Sequence, residues 1–282
     1  VMSLLEVKDL TRVFGGLTAL NKFCFRLEDG EISGIVGPNG AGKTTALNLI
    51  SGLDSATSGT VLVNGSLSTD MKSHEYVKLG IARTYQNIRL FLGMSVLDHV
   101  IVGLDSRRTT KFFQMLVPNR KELLERKKMR ELGMEILSNL SIDHLAEVEA
   151  TTLSYGHQRR LEIARALATN PKLLLLDEPT AGMNQTESQD VRDTLLKLNS
   201  EGIALLIVEH NIKFVRDLCK SVTVLNFGQE LITGTPEEVF SSMVVREAYL
   251  GKAQAERVKS FDNLRQGVSR DFDMSDFSEV EV

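Results

Sequence analysis

Residues 37–44 constrain the fold more than any other part of this chain, because they match the phosphate-loop pattern G-x-x-x-x-G-K-[ST] at every fixed position. The apolar run at 32–36 before them predicts a short buried strand, and residues 45–50 after them predict a helix that ends near Gly52. When a strand, a glycine-rich loop and a helix follow one another in this order, the backbone N–H groups of the loop and the N-terminus of the helix face a bound phosphate. A glycine-rich turn that binds no nucleotide is the alternative, which the strand–loop–helix context disfavours.

A pair of carboxylates, Asp177 and Glu178, follows four consecutive leucines at 173–176. Such a run predicts a strand that is buried on both faces of a parallel sheet, and open α/β sheets bind ligands at the carboxyl ends of their strands. Asp177 is therefore expected to hold Mg²⁺ through its water shell, and Glu178 to orient or deprotonate the water that attacks the γ-phosphate. A solvated acidic turn before Pro179 is the alternative.

A third motif lies between these two, at residues 153–160, which we call the signature segment. Apolar residues at helical spacing follow it, and Ser154 is of a type that favours the N-cap position. The sequence thus predicts a second helix N-terminus, whose small residues leave its N–H groups open to an anion.

These motifs, together with a lone histidine, His210, after the apolar run at 205–208, resemble in their order the ATPase subunit of an ATP-binding-cassette (ABC) transporter. The resemblance covers roughly residues 4–250. It implies an α/β fold with a P-loop NTPase (RecA-like) core, an antiparallel β edge subdomain and an inserted α-helical subdomain. It also implies an ABC ATPase domain over 1–250 with the helical subdomain at 87–150, and a C-terminal tail over 251–282 that is flexible or docked on a partner.

The resemblance assigns ATP and Mg²⁺ as cofactors and gives several residues a role. Ser154 and Gly156 would contact the ATP held by a second copy in a head-to-tail dimer, and Phe14 would stack on adenine, unless it is a plain core residue. Gln86 would sense Mg²⁺ and water, and His210 would contact the γ-phosphate. Lys43, Glu178, Gln86 and His210 form the expected catalytic set, and Thr44, Gln86 and Asp177 the expected metal set. The expected phosphate-loop contacts are Gly37, Pro38, Asn39, Gly40, Ala41, Gly42, Lys43, Thr44 and Thr45.

Composition excludes some classes of protein and restricts the partners. With 33 basic and 37 acidic residues the net charge is −4, so no global basic footprint for nucleic acid exists. Cys24 and Cys219 stand too far apart to suggest a disulfide framework or a zinc site. The longest apolar run, 203–208, is far below the ~20 residues that cross a bilayer, so we expect a soluble, cytoplasmic chain.

By resemblance, the partners are a second ATPase, which is either an identical copy or a paralogue, and two transmembrane permease subunits. A substrate-binding protein would act through the permeases, and the chain would lie peripherally on the cytoplasmic side of the inner membrane. Arg89 through Leu97 resembles the segment that receives the coupling helix of a transmembrane subunit. Leu90 and Phe91 are therefore expected to be exposed.

Three further segments, at 153–162, 181–184 and 234–251, resemble the ATPases of branched-chain amino-acid importers. The expected function is therefore to bind and hydrolyse ATP, to dimerise on ATP and to power the import of branched-chain or other hydrophobic amino acids. Two alternatives remain, a cassette ATPase of a lipid or polysaccharide exporter and a soluble ABC ATPase that acts in regulation or assembly.

Three residues depart from the family pattern. His157 stands where glutamine is usual, Asn184 stands where the wider family has aspartate, and Gln185 replaces a proline at a helix start. Because an unperturbed histidine titrates near ~6.5, we expect His157 to make hydrolysis sensitive to pH in that range.

Overall fold

The computed structural model describes residues 3–69, 71–106 and 120–250. Its strands are β1 Leu5–Phe14, β2 Leu17–Leu27, β3 Ile32–Val36, β4 Ser58–Val63, β5 Ser66–Leu67, β6 Ile81–Arg83, β7 Leu173–Asp177, β8 Ala204–Val208, β9 Ser221–Asn226 and β10 Gln229–Gly234. Its helices are α1 Lys43–Ile50, α2 Ser73–Lys78, α3 Val96–Asp105, α4 Arg120–Asn139, α5 Tyr155–Leu167, α6 Gln185–Ser200, α7 Ile212–Leu218, α8 Pro236–Ser241 and α9 Met243–Leu250. Two compact units contain these elements, and the second runs from His74 to Ile203.

The first unit, which holds the described residues before 74 and after 203, contains two sheets. One is antiparallel, with the strand order β2-β1-β4-β5, and it confirms the predicted antiparallel edge. The other places β3 between β8 and β9, and β3 runs parallel to both. Every residue of β3 and β8 is buried, as expected for parallel strands covered on both faces. The carboxyl ends of β3, β8 and β9 therefore lie at one edge.

The second unit is built around the parallel pair β6 and β7, in which Ile81 lies opposite Leu173. All five residues of β7 are buried, which confirms the strand predicted from the leucine run. Helix α3 packs against both α4 and α5. Strand β6 ends at Arg83, so Tyr85 and Gln86 lie in irregular backbone.

Helices α3 and α4 and a short 3-10 helix, Asp143–Leu145, fall within the range predicted for the helical subdomain, and a second 3-10 helix, Ala150–Thr152, begins at the last residue of that range. The boundaries of that subdomain, 87 and 150, stay predictions, as does the extent of the ATPase domain. The predicted tail over 251–282 lies outside the described residues. None of the described helices combines the length and the apolar character that a membrane span requires.

Candidate active site

The phosphate loop, residues 37–44, connects β3 to α1, and two of its positions admit glycine alone. Gly37 has a φ of 152°, and a Cβ there would lie 2.1 Å from the carbonyl oxygen of Leu225. Gly42 has a φ of 102°, and its Cβ would lie 2.6 Å from the oxygen of Ala19. Because these contacts are to backbone, no side-chain movement could relieve them. The surrounding strands therefore fix the path of the loop.

The side chain of Lys43, near the end of the phosphate loop, reaches back to the first residues of the loop. Its ammonium donates to the carbonyl oxygens of Gly37 at 2.6 Å and Pro38 at 2.9 Å, and the residue is buried. Asn39, Gly40 and Thr44 are exposed. Gly42 supplies no side-chain cap to α1, so the first N–H groups of the helix remain open to phosphate.

His210 lies two residues after the end of β8, and because β8 runs parallel to β3, His210 lies at the same sheet edge as the phosphate loop. The fully buried carboxylate of Glu209 accepts hydrogen bonds from the backbone N–H groups of His210 at 3.0 Å and Asn211 at 3.3 Å. The imidazole itself is 58% exposed. Sequence reasoning missed this role of Glu209, although a carboxylate between a strand end and a candidate histidine was an available signal.

Phe14 ends β1 and lies opposite Leu17 in the β1–β2 hairpin. Its side chain is 45% exposed, so it is not a plain core residue. The Arg12 guanidinium lies 4.4 Å from the ring centroid and is itself paired with Asp54 at 2.7 Å. One face of the ring thus contacts a cation whose position is fixed by an ion pair.

In the second unit, Asp177 is the last residue of β7 and is buried. One of its carboxylate oxygens accepts from Arg83 at 2.9 Å, and both side chains are nearly inaccessible to solvent. Carboxylate and hydroxyl oxygens are the ligands that Mg²⁺ prefers, so the donor types of Asp177 and Thr44 fit this ion. Arg83, which the sequence did not single out, holds the carboxylate in place.

The structure brings Gln86 and Glu178 together. The Gln86 side-chain amide donates to the Glu178 carboxylate at 2.7 Å, although 92 positions separate the two residues. Glu178 has a φ of 48°, a left-handed conformation that is unfavourable for a residue with a side chain. Unfavourable backbone conformations of this kind cluster at functional sites, where the surrounding structure imposes them.

A buried arginine, Arg159, joins three of the predicted motifs and was not predicted. It is fully buried in α5, and its guanidinium donates to the Glu162 carboxylate at 2.7 Å. It also donates to the backbone oxygens of Tyr85 at 2.6 Å, Gln86 at 3.1 Å and Glu178 at 3.4 Å. Through Arg159, helix α5 is hydrogen-bonded to the backbone of both residues of the Gln86–Glu178 contact.

Glu162 completes this cluster. Its second oxygen accepts from the Tyr85 backbone N–H at 3.0 Å. Burial raises the pKa of Glu162 above its usual value, whereas the Tyr85 N–H and the Arg159 cation act in the opposite direction. The carboxylate therefore depends on both partners to stay ionised.

Ser154 occupies the N-cap of α5, as predicted, but its hydroxyl makes no capping hydrogen bond and the residue is exposed. A cleft of about 110 Å³ opens beside it, whose lining includes Ser154, Gly156, His157, Arg160, Glu187 and Asp190. The hydroxyl and the open N-terminus of α5 thus face solvent, where an anion could reach them.

Two of the three departures from the family pattern, Asn184 and Gln185, lie at the start of α6. Asn184 caps α6 by accepting from the N–H of Glu187 at 3.0 Å, and Glu187 accepts from the N–H of Asn184 at 3.0 Å. This capping box starts α6 firmly without the expected proline. The His157 ring lies edge-on to His144 at 6.3 Å, and burial, Arg160 and His144 lower the pKa of His157.

A parallel β core that carries a phosphate loop, with a separate Gln–Glu pair after a buried strand, defines a nucleotide-hydrolysing cassette. The family model described as ABC transporter matches residues 20–181, which is more than half of the chain. The chain belongs to the ABC transporter family, as its ATP-binding, ATP-hydrolysing cassette.

Relatives and solved structures agree with this assignment. The high-affinity branched-chain amino acid transport ATP-binding protein BraF of Pseudomonas aeruginosa is 36% identical over 89% of this chain and 98% of its own length. LptB, the ATP-binding protein of a lipopolysaccharide export system of Haemophilus influenzae, is 31% identical over 89% of this chain and 98% of its own. The ADP conformation of the ATP-binding cassette MJ1267 superposes with a TM-score of 0.77 at 30% identity, covering 89% of this chain and all of that one.

Proposed function

We propose that this chain is the ATP-hydrolysing subunit of an importer for branched-chain or other hydrophobic amino acids, and that it dimerises on ATP. The observation that carries the proposal is the match to BraF, which extends over 98% of that protein at 36% identity. Permease partners and a peripheral position on the cytoplasmic face of the inner membrane belong to the same proposal.

In the proposed reaction, the N–H groups of residues 39–45 and the Lys43 ammonium bind the phosphates of ATP. Lys43 already reaches over the loop, so nucleotide binding exchanges its carbonyl partners for phosphate oxygens. Phe14 stacks on adenine and His210 contacts the γ-phosphate. Thr44, Gln86 and Asp177 are the proposed Mg²⁺ residues, and the ion would neutralise charge on the phosphate oxygens.

Glu178 is proposed as the group that orients and deprotonates the attacking water. Its contact with the Gln86 amide supports this role, because a hydrogen bond to a carboxylate fixes the direction in which the carboxylate points. Ser154 and Gly156 are proposed to bind the γ-phosphate held by the second ATPase, through the exposed hydroxyl and the open N-terminus of α5.

A surface on the second unit supports a permease contact. Phe91 and Leu92 are 49% and 86% exposed, whereas Leu90, expected to be exposed, is half-buried. The Phe91 backbone N–H donates to the buried His99 ring at 2.9 Å, so this exposed aromatic side chain stands on a fixed backbone. Anchored apolar residues of this kind are typical of protein contacts.

The chemistry is tested first with Glu178→Gln. This variant should bind ATP as tightly as wild type, hydrolyse it at least about a hundredfold more slowly, and elute as a dimer with ATP. Glu201→Gln, which changes an exposed carboxylate in the same unit, is the matched control and should behave as wild type. Rapid turnover by Glu178→Gln would remove Glu178 from the mechanism.

Transport is tested by purifying Glu178→Gln from its native membrane in detergent with ATP. Recovery of multi-span membrane proteins, followed by leucine-stimulated ATP hydrolysis when they are reconstituted with their binding protein, would support the importer. The 31% identity to LptB makes an exporter the second candidate, and stimulation by lipid in place of leucine would favour it. A retained complex without any membrane protein would refute transport.

A further inference from the structure

The turn between β9 and β10 lies at the same sheet edge as the phosphate loop. Strand β9 runs parallel to β3, and Val224 lies opposite Val36, the last residue before the loop. Two residues, Phe227 and Gly228, connect β9 to β10, with φ values of 47° and 75°. Two left-handed residues in a row are typical of a tight hairpin turn.

This turn is fixed against the phosphate loop and against β2. The Gly228 N–H donates to the Ala41 oxygen at 2.9 Å, and its own oxygen accepts from the Asn21 N–H at 2.7 Å. A Cβ on Gly228 would lie 2.8 Å from the oxygen of Ala19. The backbone of the neighbouring Phe227 is therefore held at one place beside the loop.

Phe227 is an unusual residue for such a turn. Its side chain is 86% exposed, and its left-handed backbone would favour asparagine or glycine. Packing explains neither feature. Two further apolar residues of the first unit, Phe14 at 45% and Leu17 at 69%, are exposed and lie opposite each other in the β1–β2 hairpin. Strand β2, which begins at Leu17, also carries Ala19 and Asn21, and the backbone of these two residues contacts the β9–β10 turn, while that of Ala19 also approaches Gly42 of the phosphate loop.

We propose that Phe227 contacts the nucleoside of the nucleotide whose phosphates the loop binds, in addition to Phe14. The proposal rests on the nucleotide binding proposed above. A nucleotide anchored by its phosphates on residues 37–44 extends its sugar and base away from the loop, and the turn that carries Phe227 is held beside this loop by the hydrogen bond from Gly228 to Ala41. A base presents an apolar planar face, and aromatic contact with it depends little on base identity.

The experiment compares ligands with and without a nucleoside on the full chain, by titration calorimetry. ADP and pyrophosphate are the probes, since neither is hydrolysed. Phe227→Ala should bind ADP about tenfold more weakly than wild type and bind pyrophosphate equally well. Phe227→Asn should give the same result, and because asparagine suits the left-handed backbone it keeps the turn folded. Leu67→Ala removes an exposed apolar side chain from the outer strand β5 and should change neither affinity.

A second measurement exploits the absence of tryptophan from the sequence. Phe227→Trp supplies a single emission reporter, whose fluorescence ADP should alter and pyrophosphate should leave unchanged, while Leu67→Trp responds to neither. Unchanged ADP affinity in Phe227→Ala would overturn the inference. So would an equal loss for pyrophosphate, which would mean that Phe227 only shapes the loop. Failure of the wild-type chain to bind ADP or ATP would overturn nucleotide binding itself, and the inference with it.

Discussion

Replacing Arg159 with methionine should lower the free energy of unfolding by about 3–5 kcal/mol, because it leaves a buried carboxylate without its cation. Arg159 and Glu162 are 0% and 1% exposed in their side chains, so water cannot take over the role of the guanidinium. Three backbone oxygens, of Tyr85, Gln86 and Glu178, also lose their donor. A loss of this size corresponds to a fall in melting temperature on the order of 10 °C.

The pH dependence identifies the cause. The folded-state pKa of Glu162 is already raised, so the folded protein binds the proton more tightly than the unfolded chain, and stability falls as pH rises from the unfolded value toward the folded one. Without Arg159 the pKa rises further. In Arg159→Met, the loss of stability with rising pH should therefore be larger than in wild type and extend to higher pH. The double variant Arg159→Met/Glu162→Gln should lack most of this pH dependence.

The assay is urea unfolding of wild type, Arg159→Met, Arg159→Met/Glu162→Gln and a control, each between pH 5 and 8. The control is Arg160→Met, one residue along the same helix, whose ion pair with Asp190 is 20% and 52% exposed. Loss of such a pair should change stability by about 1 kcal/mol or less. Equal stabilities of the two arginine variants, or a pH dependence in Arg159→Met identical to wild type, would refute the reasoning.

Two further predictions concern titrating groups. Burial, followed by the charge of Glu209, raises the pKa of Cys219 to about 12, so at pH 8 a thiol reagent should label exposed Cys24 alone in the folded protein and both cysteines after denaturation. Because the pKa of His157 is lowered on folding, the unfolded chain binds this proton more readily, and stability should fall as pH drops below about 6.5. In the wild-type protein, the lowered pKa should also place the pH inflection of hydrolysis below 6.5. His157→Gln should weaken the loss of stability at low pH and remove this inflection. If the pH profiles of both unfolding and hydrolysis were the same in His157→Gln as in wild type, the prediction would be contradicted.

The sequence was sufficient to predict those parts of the site that consist of consecutive residues. The phosphate loop, the strand that ends at Asp177 and the helix that begins after Ser154 each consist of neighbouring residues whose pattern reports their conformation. The antiparallel edge followed from the family resemblance, whereas the strand order was not predicted. These elements are contiguous, and local propensity agrees with the fold in each of them.

Sequence reasoning failed where a side chain acts through distant partners. Nothing local distinguishes the buried Arg159 from its neighbour Arg160, which is partly exposed, because burial depends on the backbone oxygens that the fold brings to it. Arg83 and Glu209 escaped notice for the same reason. Leu90 was expected on the surface because it belongs to a segment that resembles a docking site for a transmembrane subunit. Leu90 is half-buried, however, while Leu92, two residues further on, is 86% exposed.

The left-handed backbone at Glu178 sets stability against activity in any attempt to engineer this protein. Glycine or asparagine at this position would relieve the unfavourable φ of 48° and should raise the melting temperature, but both lack the carboxylate proposed to activate water. A screen that rewards thermal stability alone would therefore enrich inactive variants at residue 178. A library built for robust folding should hold that position fixed and search for stabilising changes elsewhere.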